Sequence, residues 1–306
     1  MTAQSNIVWI AADWGTTNLR IWALDSAGNT IEHRNSDKGM GKLARSEFEP
    51  ALLELTTDLL QSGRKTPVIV CGMAGSRQGW AEAPYKSAPC PPPSLADATI
   101  VPANDPRLDV RILPGIKQLN PADVMRGEET QIAGFLADNE NFSGTLCLPG
   151  THTKWVALDN GIVTRFRTFM TGETFALLSS QSVLRHGLSD KELDGQAFAN
   201  AVAEIFESPQ SLAAGLFGIR AAGLVADLSP EAARGRLSGL LIGAELAAAR
   251  DGFDLSTVEL LGSDSIAGAY GSALRTLGHQ AVTLDAETIT LKGLKLAYSS
   301  FSKVSA

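Results

Sequence analysis

The phrase "DWGTTNLRIWALD" at residues 13–25 returns as "GTHTKWVALD" at residues 150–159. In each copy Gly-Thr opens a short polar stretch, a cation comes next (Arg20 or Lys154), and an apolar run closes on Ala-Leu-Asp. Around the first copy, "NIVWIAAD", "LRIWALD" and "TIEHRN" are separated by turn residues and read as three strands of an antiparallel meander. Around the second, "GTLCLPG", "KWVALD" and "IVTRFRTF" read the same way, the last two joined by "NG", a preferred tight hairpin turn. A chain that writes one meander twice is constrained to two similar subdomains, each carrying a Gly-Thr tip.

The segments after the meanders set the fold class. Residues 47–60 place Phe48, Leu52, Leu55 and Leu59 on one helical stripe, "PVIVCG" and "DVRILPG" read as short buried strands, and "EETQIAGFLADN" as a helix. After the second meander, residues 173–250 are Ala- and Leu-rich at helical spacing. "TVELLGSDSIAGAYGSAL" reads as strand, Gly turn and helix, and "QAVTLD" with "AETITLKGLKLAYSS" as a closing strand and helix. Strands followed by helices make α/β domains, here divided as 1–138 and 139–306. The Pro-rich stretch at 83–94 reads as a connecting loop.

A hairpin tip of Gly and small hydroxyl residues offers backbone N–H and side-chain O–H donors with no bulk in the way, so it can hold phosphate oxygens. Two such tips facing one another could grip the β- and γ-phosphates of ATP, with Asp13, at the end of the first strand, holding Mg²⁺. Other partners fit poorly. A formal charge of −7 without clustered Lys and Arg opposes nucleic-acid binding. The histidines have no metal-ligand spacing, and the three cysteines, Cys71, Cys90 and Cys147, include no CxxC, which suits a reducing cytoplasm. "IVWIAA" is too short for a membrane span or signal region, and "LSGLLIGAELAAA" is interrupted by Glu245, so no membrane segment is expected. "SDKGMGKL" imitates a P-loop, but Ser36 stands where the first Gly belongs and Leu43 where Ser or Thr should follow Lys42; it reads as a loop near the substrate.

Asp13-Trp14-Gly15-Thr16-Thr17 resembles the first phosphate loop of the superfamily that contains sugar kinases, actin and heat-shock chaperones. Gly150-Thr151-His152-Thr153 resembles its second phosphate loop, and "LLGSDSIAGAYGSAL" its adenosine segment, which would lay Gly262 and Ser263 against the nucleoside. More narrowly, "GMAGSRQGWAEAPY", "MRGEETQIAGFL", "LPGTHTKWV" and "TGETFALLSSQSVL" are similar to the 2-dehydro-3-deoxygalactonokinase family. The resemblance implies two ribonuclease H-like domains of the actin-like ATPase fold around an interdomain cleft for ATP and substrate. Residues 1–138 would form the substrate-binding domain with the first phosphate loop, and 139–306 the nucleotide-binding domain. It further implies ATP- and Mg²⁺-dependent phosphorylation of the 6-hydroxyl of 2-dehydro-3-deoxy-D-galactonate, an intermediate in galactonate breakdown. Another sugar or sugar-acid kinase of this fold, or an ATPase of the actin or chaperone type, stays open.

The strand "PVIVC" runs into "GMAGSRQGW", and ligands collect at the C-terminal ends of strands in open α/β sheets. Arg77 there offers a planar guanidinium to a substrate carboxylate, with Ser76, Trp80 and Glu82 as neighbours for hydroxyls and carbon skeleton. Where related sugar kinases carry Gly-Asp-Gln with the Asp as base, this chain has Gly127-Glu128-Glu129. Glu128 is the candidate base, Glu129 the alternative, and Arg126 would orient substrate or pair with a Glu. Lys154 is the candidate for stabilising transferred charge. The oligomeric state is open, a homodimer included.

Overall fold

In the computed structural model, which describes residues 6–304, β1 (Trp9–Trp14), β2 (Leu19–Leu24) and β3 (Thr30–Ser36) form the expected antiparallel meander. Side chains alternate across β1 as strand geometry requires. Ile10, Ala12 and Trp14 pack on one face with Phe48 and Leu52 of α1 (Phe48–Thr56), while Trp9 and Ala11 pack on the other with Leu294 and Ala297 near the C terminus. The chain continues through β4 (Thr66–Gly72), the two-residue β5 (Lys86–Ser87), β6 (Thr99–Val101), β7 (Leu108–Ile112), β8 (Ile116–Leu119), β9 (Ala122–Met125) and α2 (Glu128–Leu136). The main sheet runs β3-β2-β1-β4-β7-β6, with β4 parallel to β1 and β7 parallel to β4; β5-β8-β9 form a small second sheet.

The pattern then restarts with β10 (Gly144–Leu148), β11 (Thr153–Asp159) and β12 (Ile162–Phe169). Asn160 and Gly161 both take positive φ, 49° and 75°, as a type I′ turn demands. Helices α3 (Thr171–Gln181), α4 (Gly195–Glu207), α5 (Leu212–Val225) and α6 (Pro230–Ala249) come next, then β13 (Val258–Gly262), α7 (Asp264–Thr276), β14 (Ala281–Asp285) and α8 (Ala286–Val304). This sheet runs β12-β11-β10-β13-β14, with β13 parallel to β10 and β14 parallel to β13. Its order and directions reproduce β3-β2-β1-β4-β7, so the repeated phrase marks a repeated fold.

The contacts divide the chain into two compact units, but not by a single cut. One unit holds the residues up to Phe142, the hairpin tip 159–165 and the C-terminal helix; the other holds Ser143–Leu158 and Phe166–Asp285. The first stretch ends just past the boundary at 138/139, whereas α8, which sequence order assigns to the second domain, groups with the first unit. The physical reason is its crossing with α2, where Gly134 and Gly293 let two backbones touch. A Cβ on Gly134 would stand 2.0 Å from Ile289 O, and one on Gly293 2.0 Å from Thr130 O, distances no side chain survives. The Pro-rich loop likewise does more than connect: Cys90 exchanges two backbone hydrogen bonds with Val163, of 3.1 and 2.9 Å. Among the described residues, no helix is long and apolar enough to cross a membrane.

Candidate active site

Because β1 and β4 are parallel, their C-terminal ends share one edge of the first unit, with Asp13 opposite Cys71 and Trp14 opposite Gly72. Gly127 turns the chain into α2 at φ 106°, a conformation that favours glycine, and a Cβ there would lie 3.4 Å from Gly72 Cα. The end of β4 and the N-terminus of α2 are thereby brought together, and the helix dipole favours carboxylates at that end. Cys71 reports the convergence: burial, then the charges of Asp13 and Glu129, hold its thiol well above its ordinary value.

The two candidate bases are treated differently. Glu129 is 1% exposed, and its carboxylate turns back to accept the Gly127 N–H at 2.9 and 2.7 Å. Burial, then the neighbouring Glu128 charge, pushes Glu129 up to about 8 from an ordinary 4.5. Glu128 is half-buried, and its Oε2 accepts the Arg126 backbone N–H at 3.0 Å. Of the two acids, Glu128 is the more accessible. The raised Glu129 value carries a stability consequence. The folded protein keeps a proton that the unfolded chain releases, so the stability is full below about pH 4.5 and is lost as pH rises through about 8. Glu245, raised to about 7 by burial, adds a slope of the same sign. Urea midpoints between about pH 5 and 8.5 should show Glu129→Gln gaining on the wild type as pH rises; a constant difference would contradict the assignment.

Asp13 pairs with Arg20 at 2.5 Å, and Arg20 also pairs with Glu287 at 3.0 Å. Its other oxygen, Oδ1, has the Cys71 thiol at 3.8 Å. Asp13 lines a recess of about 620 Å³ with Gly15, Thr17, Asn18, Arg20 and Asp37. No cluster of three or more metal-ligating side chains occurs among the described residues. The hairpin tip closes through Gly15 N–H to Asn18 O at 2.9 Å and leaves Thr16 and Thr17 exposed. The P-loop lookalike proves to be the tip's support: the N–H groups of Gly39, Met40 and Gly41 donate to the carbonyls of Thr17, Gly15 and Thr16 at 3.1, 3.0 and 2.9 Å.

The residues after β4 separate into three environments. Trp80 is a core residue, stacked with Phe48 and edge-on to Trp14, so its ring is committed to packing rather than to a sugar. Arg77 has a side chain 82% exposed, with only a loose 3.7 Å contact to the exposed Glu82. In contrast, Ser76 and Arg126 are buried, and three of their polar atoms, Ser76 Oγ and Arg126 Nε and Nη1, have no hydrogen-bond partner. Arg126 Nη2 donates to Ala83 O at 2.7 Å, and the guanidinium lies over the Tyr85 ring at 4.3 Å. Buried donors, on a cation above all, call for an acceptor. The unpartnered buried donors thus belong to Ser76 and Arg126, whereas the Arg77 guanidinium is largely exposed.

In the second unit the loop after β10 and the turn after β13 adjoin: a Cβ on Gly262 would lie 3.4 Å from Pro149 Cδ. Ser263 is exposed at the start of α7. Gly150 is half-buried and Thr151 and His152 are exposed, whereas Thr153 is fully buried with its hydroxyl 2.8 Å from Tyr270 OH. Thr153 therefore faces the core instead of offering its hydroxyl at the tip. His152 Nε2 meets the Glu173 carboxylate at 2.5 Å, and Glu173 N–H donates to Thr151 O at 2.9 Å. Lys154 is 5% exposed, its Nζ 3.5 Å from His152 O. Sequence reasoning passed over Glu287, Tyr85, Thr171 and Tyr270; its one available signal was Glu245, the lone acid in an apolar run.

Residues 13–297 match the 2-keto-3-deoxy-galactonokinase family. A protein of Rhizobium meliloti (strain 1021) named as a 2-dehydro-3-deoxygalactonokinase is 37% identical over 296 residues, covering 94% of this chain and 96% of that protein. The 2-dehydro-3-deoxygalactonokinase of Escherichia coli (strain K12) is 35% identical over 298 residues, covering 96% and 97%. The crystal structure of a Sinorhizobium meliloti protein described as a 2-dehydro-3-deoxygalactonokinase superposes with a TM-score of 0.87 at 37% identity, over 96% of this chain and 99% of that one. With the match running from Asp13, next to the end of the first strand, into α8, the chain belongs to the 2-keto-3-deoxy-galactonokinase family.

Proposed function

We propose that the chain transfers the γ-phosphoryl group of ATP to the 6-hydroxyl of 2-dehydro-3-deoxy-D-galactonate, giving the 6-phosphate and ADP. The observation that carries the reading is the convergence of Asp13 and Glu129 on Cys71, with Glu128 beside Glu129 at the start of α2, in a chain of this family. Glu128 accepts the hydroxyl proton as the substrate oxygen attacks the γ-phosphorus and the bond to the β-phosphate oxygen breaks. Such a reaction asks the protein chiefly for positioning and charge stabilisation. Asp13 would hold Mg²⁺, which when bound neutralises phosphate charge. The Gly15-Thr16-Thr17 and Gly150-Thr151-His152 tips take phosphate oxygens, Lys154 adds positive charge, and Gly262 and Ser263 lie beside the nucleoside. The three cysteines are free and buried, in keeping with a cytoplasmic setting.

Arg126 and Ser76 supply the donors for the sugar acid's carboxylate end, Arg77 at most a peripheral charge. A coupled ADP-release assay over a panel of aldonic and 2-keto-3-deoxy acids tests the substrate, and the same assay tests the anchor. Arg126→Ala should lose about 1.5–3 kcal/mol of sugar-acid binding, roughly 10- to 150-fold in KM, with ATP affinity kept. Arg77→Ala should change it by a factor of about three or less. A larger loss at Arg77 than at Arg126 would restore Arg77 as the anchor.

A further inference from the structure

Glu245 lies in the last third of the buried helix α6, 3% exposed, where a carboxylate without partners could not be tolerated. It collects donors from three other elements. Oε1 accepts Trp155 Nε1–H of β11 at 2.7 Å; Oε2 accepts Tyr270 O–H of α7 at 2.7 Å and the hydroxyl of Thr171 at the start of α3. Since Tyr270 gives its proton to the carboxylate, the 2.8 Å contact with Thr153 runs the other way, with Thr153 O–H donating to Tyr270.

Thr153, Trp155 and Thr171 stand on the elements that flank the second Gly-Thr loop, and Tyr270 reaches it through Thr153. Thr153 and Trp155 stand on the strand that leaves it. Next to Thr171, Gly172 lies so close to the loop that a Cβ would meet Gly150 O at 2.3 Å, and Glu173 N–H donates to Thr151 O at 2.9 Å. The loop is thus held from the β11 side and the α3 side, and both holds converge on one side chain. Thr171, Gly172 and Tyr270 also line a cavity of about 310 Å³ with Ser265 and Ile266 of α7, beside the turn at Gly262.

We propose that Glu245 is a positioning residue for nucleotide binding: by gathering Thr171, Trp155 and, through Tyr270, Thr153, it keeps the 150–153 loop in the shape that receives phosphates. This rests on the kinase reading above. The required feature is the set of three hydrogen-bonded contacts, not the charge or the direction of each bond. A glutamine can reproduce it, with its carbonyl accepting from Trp155 and its NH₂ donating to the Thr171 and Tyr270 oxygens, Tyr270 then donating to Thr153. An alanine reproduces none of it.

Glu245→Gln and Glu245→Ala should be compared with the wild type by KM for ATP, KM for the sugar acid, calorimetric binding of a non-hydrolysable ATP analogue without sugar acid, and amide exchange at Thr151–Thr153. Glu245→Ala is expected to lose on the order of 10²-fold in kcat/KM for ATP, with faster loop exchange and an unchanged sugar-acid KM. Glu245→Gln should stay close to the wild type. Equal losses for both substrates, unchanged analogue binding in Glu245→Ala, or a Glu245→Gln as damaged as Glu245→Ala would each overturn the proposal. Should Glu245→Ala fail to fold, Thr171→Val, which removes one hydroxyl, must show the same ATP-selective loss in smaller measure, or the proposal falls. A wild type that binds the analogue but phosphorylates no sugar acid would sink the kinase reading alone, since calorimetry and exchange still decide the role of Glu245.

Discussion

Glu128→Gln is expected to lower kcat by ~10²–10⁴-fold while both substrates still bind, because a base that takes the proton in the transition state contributes little to the ground state. The amide keeps the shape and can still accept the Arg126 N–H that fixes the side chain at 3.0 Å. What it loses is the ability to receive a proton. Glu129→Gln should be milder, since the buried Glu129 carboxylate is spent on the Gly127 N–H and a carbonyl oxygen can accept the same bond. The measurement is kcat with binding constants for both variants, circular dichroism establishing that each is folded. If Glu129→Gln is the more damaging, the base has been assigned to the wrong acid.

Asp13→Asn should cost ~10²–10³ in turnover, the scale for removing a stabiliser of developing charge. The fold should survive: the carboxamide oxygen can still accept from Arg20, Arg20 keeps its 3.0 Å pair with Glu287, and a partly exposed ion pair contributes little to stability. The diagnostic is the Mg²⁺ titration. If Asp13 helps to hold the ion, the variant needs more Mg²⁺ to reach its lowered maximum. Near-normal turnover at the wild-type Mg²⁺ requirement would leave Asp13 as nothing more than the partner of Arg20.

The parts of this molecule that were legible in the sequence are those dictated by near neighbours. The two meanders announce themselves through alternation and turn chemistry, and Asn160-Gly161 takes the positive φ angles that the pair favours. The sheet β5-β8-β9 was not legible, because strands of two to four residues carry too little pattern and β5 pairs with a strand some thirty positions away. The site divides along the same line. Asp13, the two tips and the Gly127 turn sit at strand and helix ends, where local pattern points. The difference between Arg77 and Arg126 is one of burial, set by Ala83, Tyr85 and the close approach of Gly75, whose missing Cβ would stand 2.7 Å from Arg126 Nη1. Trp80 misled for the same reason: set between Gly79 and Ala81 in a stretch that also holds Arg77, Gln78 and Glu82, it nonetheless turns into the core.

The crossing of α8 on α2 also bears on how the chain is made. Translation delivers residues from the N terminus, so α2, with the proposed base at its first position, emerges long before Gly293 exists to lie against Thr130. The second unit, which ends at Asp285, has all its residues in hand while the first still lacks the helix that covers Trp9 and Ala11. The unit that is begun first is therefore completed only after the second has been made, and the corner holding Glu128 acquires its backing once α8 has emerged.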